Sequence, residues 1–99
     1  MGEGHDSGCD EVVRSQEVAF STFILSLGTS ALVHLGLAED PSTGRRDVNL
    51  PMARHVIEIL SMLKEKTSGN LAEDESRLVD NLLFDLRLKF VEVCRKQNP

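Results

Sequence analysis

The sequence predicts an all-α fold: a small three-helix domain in which helices 2 and 3 form an antiparallel hairpin. Helix 1 is nearly uncharged and leads the chain to associate as a dimer or higher oligomer. Three observations carry this reading. Val18 to Leu37 is a run of 20 residues without Asp, Glu, Lys or Arg, in a chain where charged residues make up 27%. Two later stretches, near residues 50–67 and 71–96, repeat apolar residues at three- and four-residue spacing, the period of a helix face. Only a few polar residues around Gly69 separate those stretches, and so short a link makes neighbouring helices antiparallel.

The 99 residues make one domain. Residues 1–15 are expected to be a disordered, Gly-rich acidic tail with little to bury, and residues 16–97 the single helical domain. Charge is unevenly placed. Residues 1–17 hold five acids against Arg14 alone, so they carry −4 of the net −5. The rest of the chain is close to neutral and offers no basic face for nucleic acid. Cys9 and Cys94 lie at opposite ends of the chain, which predicts free thiols in a reducing compartment. The stretch before Val18 is acidic where a secretory leader begins positive, so the expected location is the cytoplasm. His5, Asp6, Cys9 and Asp10 match no closed zinc spacing, and neither a metal nor a cofactor is expected.

Helix 1 is predicted from Ser15 or Glu17 to Leu37. Phe20, Phe23, Ile24, Leu27, Ala31 and Leu35 share one apolar face, while Leu25 and Leu32 sit apart from it. Gly28 costs about 1 kcal/mol against Ala in a helix interior, and a close approach by another helix would explain its use. Ser and Thr hydroxyls can bond to carbonyls one turn earlier, so they can be buried without outside partners. The run is long enough for a membrane span. Its polar interruptions and the lack of flanking Lys or Arg clusters favour a buried helix of an oligomer instead.

Ala38 to Asn49 is a connection, with turn chemistry at Asp40-Pro41-Ser42-Thr43-Gly44 and room for a short extended segment around Val48. Helix 2 starts after Asn49 as N-cap, with Pro51 in its first turn. Ala53, Val56, Ile57, Leu60 and Leu63 form its core stripe, widened by Met52 and Ile59. Gly69 is placed at the C′ position. Helix 3 is expected to be capped by Asn70 with Glu73. Acids load its start and bases its end, and Glu73–Arg77 and Glu92–Lys96 are favourable pairs. Its core stripe is Val79, Leu82, Leu83, Leu86, Phe90 and Val93, with Cys94 at the edge. A second apolar stripe, Phe84, Leu88 and Val91, lies on nearly the opposite face.

That second stripe and the uncharged helix 1 together exceed what a monomer of this size can hide. Large apolar patches mark interfaces, and a symmetric homo-oligomer is the economical solution. The expected interface residues are Ser21, Leu25, Gly28, Thr29 and Leu32 of helix 1 with Phe84, Leu88 and Val91 of helix 3.

The run from Phe20 to Gly36, FSTFILSLGTSALVHLG, resembles the opening of a small bacterial family, domain-of-unknown-function family 1844. The likeness continues in Asp40-Pro41 and Thr43-Gly44 ahead of Val48-Asn49-Leu50. It resumes in Leu63-Lys64-Glu65-Lys66-Thr67 and Gly69-Asn70-Leu71 before an acidic helix start. It covers about Val18 to Val93. The resemblance implies a helical cytoplasmic bacterial protein without an assigned activity, so no catalytic residue can be carried over. Pro51 and Ala72 depart from the expected pattern. Ala72 stands where a Ser or Thr cap would pair with Glu75, which moves the expected cap back to Asn70.

Three functional classes follow. The first is a non-enzymatic oligomeric interaction or scaffold protein, favoured by the surplus apolar surface. The second is a small-molecule or lipid-binding module using Thr22, Ser26, Ser30 and His34, and it requires an enclosed pocket on helix 1. The third is an enzyme with His34 as general base and Ser30 one turn before it, for which helix 1 supplies no acid. A peripheral membrane protein is the remaining, weaker alternative.

Overall fold

A computed structural model describes residues 19–98. Helix α1 spans Phe20–His34, α2 Leu50–Lys66 and α3 Glu73–Gln97. No strand occurs among these residues, and the one β-bridge pairs Leu35 with Val48 in antiparallel sense.

The helices close around one aliphatic core. α1 contributes Ile24 and Ala31, α2 contributes Val56, Ile57 and Leu60, and α3 contributes Val79, Leu83 and Leu86. A smaller cluster at the other end joins Leu35 and Ala53 to Val93. The stripes predicted for helices 2 and 3 are the faces that are buried: every fully buried position of α2 and α3 lies on them.

Helix 1 is shorter than expected. Ala19 is extended, with φ −85° and ψ 136°, so the helix begins at Phe20. The earlier start expected at Ser15 or Glu17 lies outside the described residues. At the other end Gly36 adopts φ 74°. Its N–H donates to the Val33 carbonyl at 3.0 Å, and the Leu37 N–H donates to the Leu32 carbonyl at 2.9 Å. These two bonds are a Schellman stop: the left-handed glycine turns the chain while the last carbonyls keep donors. The helix therefore ends three residues before Leu37, although apolar residues continue to that point. Its 15 residues span about 22 Å at 1.5 Å each, and no described helix is long and apolar enough to cross a membrane.

The connection returns along the end of α1. The Asp40 carboxylate accepts from the Ser42 backbone N–H at 2.9 Å and from the Ser42 hydroxyl at 2.7 Å, and Gly44 takes φ 71° to complete the turn. Val48 then pairs with Leu35, and the Asn49 N–H donates to the His34 carbonyl at 2.7 Å. A Cβ at Gly36 would lie 2.8 Å from Val48 Cγ2, so this return needs a glycine there for space as well as for φ.

Asn49 caps α2 as expected, its side-chain oxygen accepting from the Met52 N–H at 3.2 Å. α2 ends at Thr67, whose hydroxyl donates to the Leu63 carbonyl at 2.7 Å. With Thr67 as C-cap, Gly69 falls one residue beyond the C′ position expected for it, which Ser68 occupies, and takes φ 86° in the turn that follows. The cap of α3 also differs from expectation: it is Ala72, not Asn70. Alanine has no oxygen to offer, so only half of a capping box forms, the Glu75 carboxylate accepting from the Ala72 N–H at 2.9 Å. Of the predicted pairs on α3, Glu73–Arg77 closes at 3.2 Å.

Candidate interaction face

α3 buries Val79, Leu83, Leu86 and Val93 against α1 and α2. On its outer side Phe84, Leu88 and Val91 stay 68%, 52% and 43% exposed. Steps of four and three residues along a helix stack side chains on one face, so the three form a continuous apolar row. Arg77 and Asn81 prolong the row before Phe84, and Arg95 prolongs it after Val91.

Charges line both sides of this row. Asp80 and Arg87 lie on one flank, Asp85 and Glu92 on the other. Lys64 of α2 holds Asp80 at 2.8 Å, and Lys89 holds Asp85 at 2.6 Å. Arg87 donates to the Ser61 hydroxyl at 3.3 Å. Those contacts tie the α2-side flank to the hairpin and leave the apolar row open.

The candidate interface residues of α1 differ in their exposure. Gly28 is buried, and a Cβ there would sit 3.0 Å from Leu82 Cδ2. Within the chain, the side chain that comes close to it is Leu82 of α3. Leu25 is 51% exposed and Thr29 is exposed, whereas Ser21 and Leu32 are half-buried. Phe23, expected on the core face, is 43% exposed because the buried line of α1 narrows to Ile24, Gly28 and Ala31.

Three of the four residues expected to meet a ligand do share a groove. Ser26, Ser30 and His34 line it with Thr29, Val33, Asp40 and Pro41, enclosing about 330 Å³ on a face open to solvent. Thr22 lies one turn earlier, its carbonyl accepting from the Ser26 hydroxyl at 3.0 Å. Helix 1 itself supplies no acid for His34. The turn after the helix supplies Asp40. The Ser42 hydroxyl and then the Ser42 backbone N–H hold the Asp40 carboxyl below its ordinary range, and a nearby His34 adds a smaller pull in the same direction. The turn Asp40-Pro41-Ser42 carries its own sequence signature, but its return to His34 depends on the fold and not on any spacing within helix 1.

Among the described residues no hydrogen bond joins Ser30 to His34 or His34 to Asp40, and the Asp40 acceptor is engaged by Ser42. No group of three His, Cys, Asp or Glu side chains gathers to hold a metal among the described residues. The His5, Asp6, Cys9 and Asp10 cluster and the tail itself lie outside them. Cys94 is half-buried at the edge of the α3 core stripe, as its position in the stripe predicts.

The described residues thus define a small all-α protein of three helices, with an apolar row on the outside of its longest helix. The family model described as domain of unknown function (DUF1844) matches residues 17–92, and the chain belongs to that family. No curated protein and no solved structure matches it.

Proposed function

We propose that this protein is a non-enzymatic interaction protein that works as a homo-oligomer, its copies meeting on the outer face of α3. One observation carries the reading: the row Phe84, Leu88 and Val91 is exposed while the rest of α3's large apolar side chains are buried or half-buried. An aromatic residue leads the row, and aromatic side chains are enriched at the centres of interfaces.

The size of the row sets the strength of the association. Completing the burial of a half-exposed Phe, Leu or Val is worth about 1 kcal/mol each. Six such side chains from two copies supply roughly 6 kcal/mol, near the lower end of the ~4–15 kcal/mol lost in freedom on association. The assembly is accordingly concentration-dependent unless further surface joins it. A cytoplasmic, reducing setting fits a chain whose two cysteines stand at opposite ends.

The ligand-binding alternative has less to support it. Small-molecule sites enclose most of their ligand, and the groove along α1 is open. Light scattering on the full chain tests the proposal. A mass above that of one copy that rises with concentration is expected, and a single-copy mass throughout would overturn it.

A further inference from the structure

We infer that two copies pair α3 against α3 in parallel and in register, with Arg87 of each copy reaching Glu92 of the other. This rests on the self-association proposed above and specifies its geometry.

The order of side chains around α3 sets the geometry. Asn81, Phe84, Leu88, Val91 and Arg95 follow one another in alternating steps of three and four, the spacing of a seam between two helices. Asp80 and Arg87 border the seam on one side, Asp85 and Glu92 on the other. The core of the domain lies behind it: Leu82 packs beneath Gly28 of α1, and Lys64 and Ser61 of α2 reach Asp80 and Arg87. The α2-side flank borders α2 directly, since Arg54, Ile57 and Glu58 line one groove with Arg87, Phe90 and Val91, so a second α3 on the seam also lies beside α2 there.

Two identical helices can face each other in two ways. Antiparallel, like flank meets like flank, and Asp85 and Glu92 of one copy face Asp85 and Glu92 of the other. Asp85 is held by Lys89 within each chain, so what remains on that edge is two Glu92 carboxylates with no basic side chain across from them, and on the other edge Arg87 meets only Arg87 or an Asp80 that Lys64 already holds. Parallel, each flank meets the opposite flank, and Arg87 lies beside Glu92 of the second copy, five residues further on. The symmetry makes this contact twice. The parallel arrangement also brings Asp80 towards Asp85 of the second copy, but each is already neutralised within its own chain, by Lys64 at 2.8 Å and Lys89 at 2.6 Å. Among the described residues Arg87 donates to the neutral Ser61 hydroxyl and to no carboxylate, so its charge is available. Asn81 meets Asn81, a polar pair of the kind that fixes register in parallel helices. Arg95 meets Arg95 at the end of the seam, where long exposed stems can splay into water.

Sedimentation equilibrium of the full chain tests this with Arg87→Glu, Glu92→Arg and the two combined, each verified as folded by circular dichroism. Each single reversal is expected to weaken dimerisation about tenfold, because two attractive contacts become repulsive. The combined variant restores the opposite-sign pairing and should return close to the wild-type constant. If the wild type dimerises but the single reversals leave the constant unchanged, or the combined variant stays weak, the parallel register is overturned while self-association stands. A wild type that stays monomeric overturns both.

Discussion

Gly28 of α1 lies directly against Leu82 of α3, so close that a Cβ on the glycine would stand 3.0 Å from Leu82 Cδ2. The only glycine inside a helix of the described residues thus faces a side chain of another helix of the same chain. Gly28→Leu should destabilise the fold by about 1–3 kcal/mol through overpacking. Gly28→Ala should be close to neutral, since the helix gain of up to about 1 kcal/mol is offset by the shift required of the Leu82 methyls. Urea unfolding of both variants checks the pair. A Gly28→Leu chain as stable as the wild type would contradict the packing.

Gly36 and Gly44 share the same backbone sign, with φ 74° and 71°, but not the same surroundings. A Cβ at Gly36 meets Val48 Cγ2 at 2.8 Å, whereas one at Gly44 meets nothing within 4 Å. Gly44→Ala should therefore cost only the left-handed penalty, about 1–2 kcal/mol, and Gly36→Ala clearly more. Thermal unfolding of the two variants side by side gives the order, and equal losses would show that Val48 does not press on Gly36.

Asp40 offers a test of the connection. The Ser42 hydroxyl and N–H favour its ionised form, so its carboxyl titrates below the ordinary carboxylate value of 3.8. A lowered folded-state value means that the contribution to stability is present above the unfolded value and is lost as pH falls through the folded one. Ser42→Ala should move the Asp40 titration, followed by carboxyl NMR shifts, back upward. No movement would mean that the turn bonds are not formed in solution.

Much of this architecture was legible from particular residues. Helices 2 and 3 carried their own punctuation in Asn49, Pro51, the acids from Glu73 to Glu75 and the bases at the end. Their burial followed from spacing alone. Helix 1 was harder, because nothing charged marks its ends. Ala19 looks like a helix residue, and Leu37 continues the apolar run past Gly36, so the Schellman stop was hidden in apolar sequence. The reading that Gly28 admits a close neighbour was sound, but a glycine cannot tell whether the neighbour belongs to the same chain. The long-range return of Val48 to Leu35 also determined which residues surround His34, and no local pattern encodes Asp40 as its neighbour.

If copies meet on the outer row of α3 and not on α1, a charge placed on each helix in turn separates the two faces. Sedimentation equilibrium is run on the wild type, Leu88→Glu and Leu25→Glu, the last two placing a charge at half-exposed apolar positions of α3 and α1 respectively. Leu88→Glu should be monomeric with an unchanged helical spectrum, because it buries a carboxylate at the seam, while Leu25→Glu should associate as the wild type does. A wild type that is monomeric at every concentration, or a Leu88→Glu variant that still dimerises while Leu25→Glu does not, would contradict a meeting on α3.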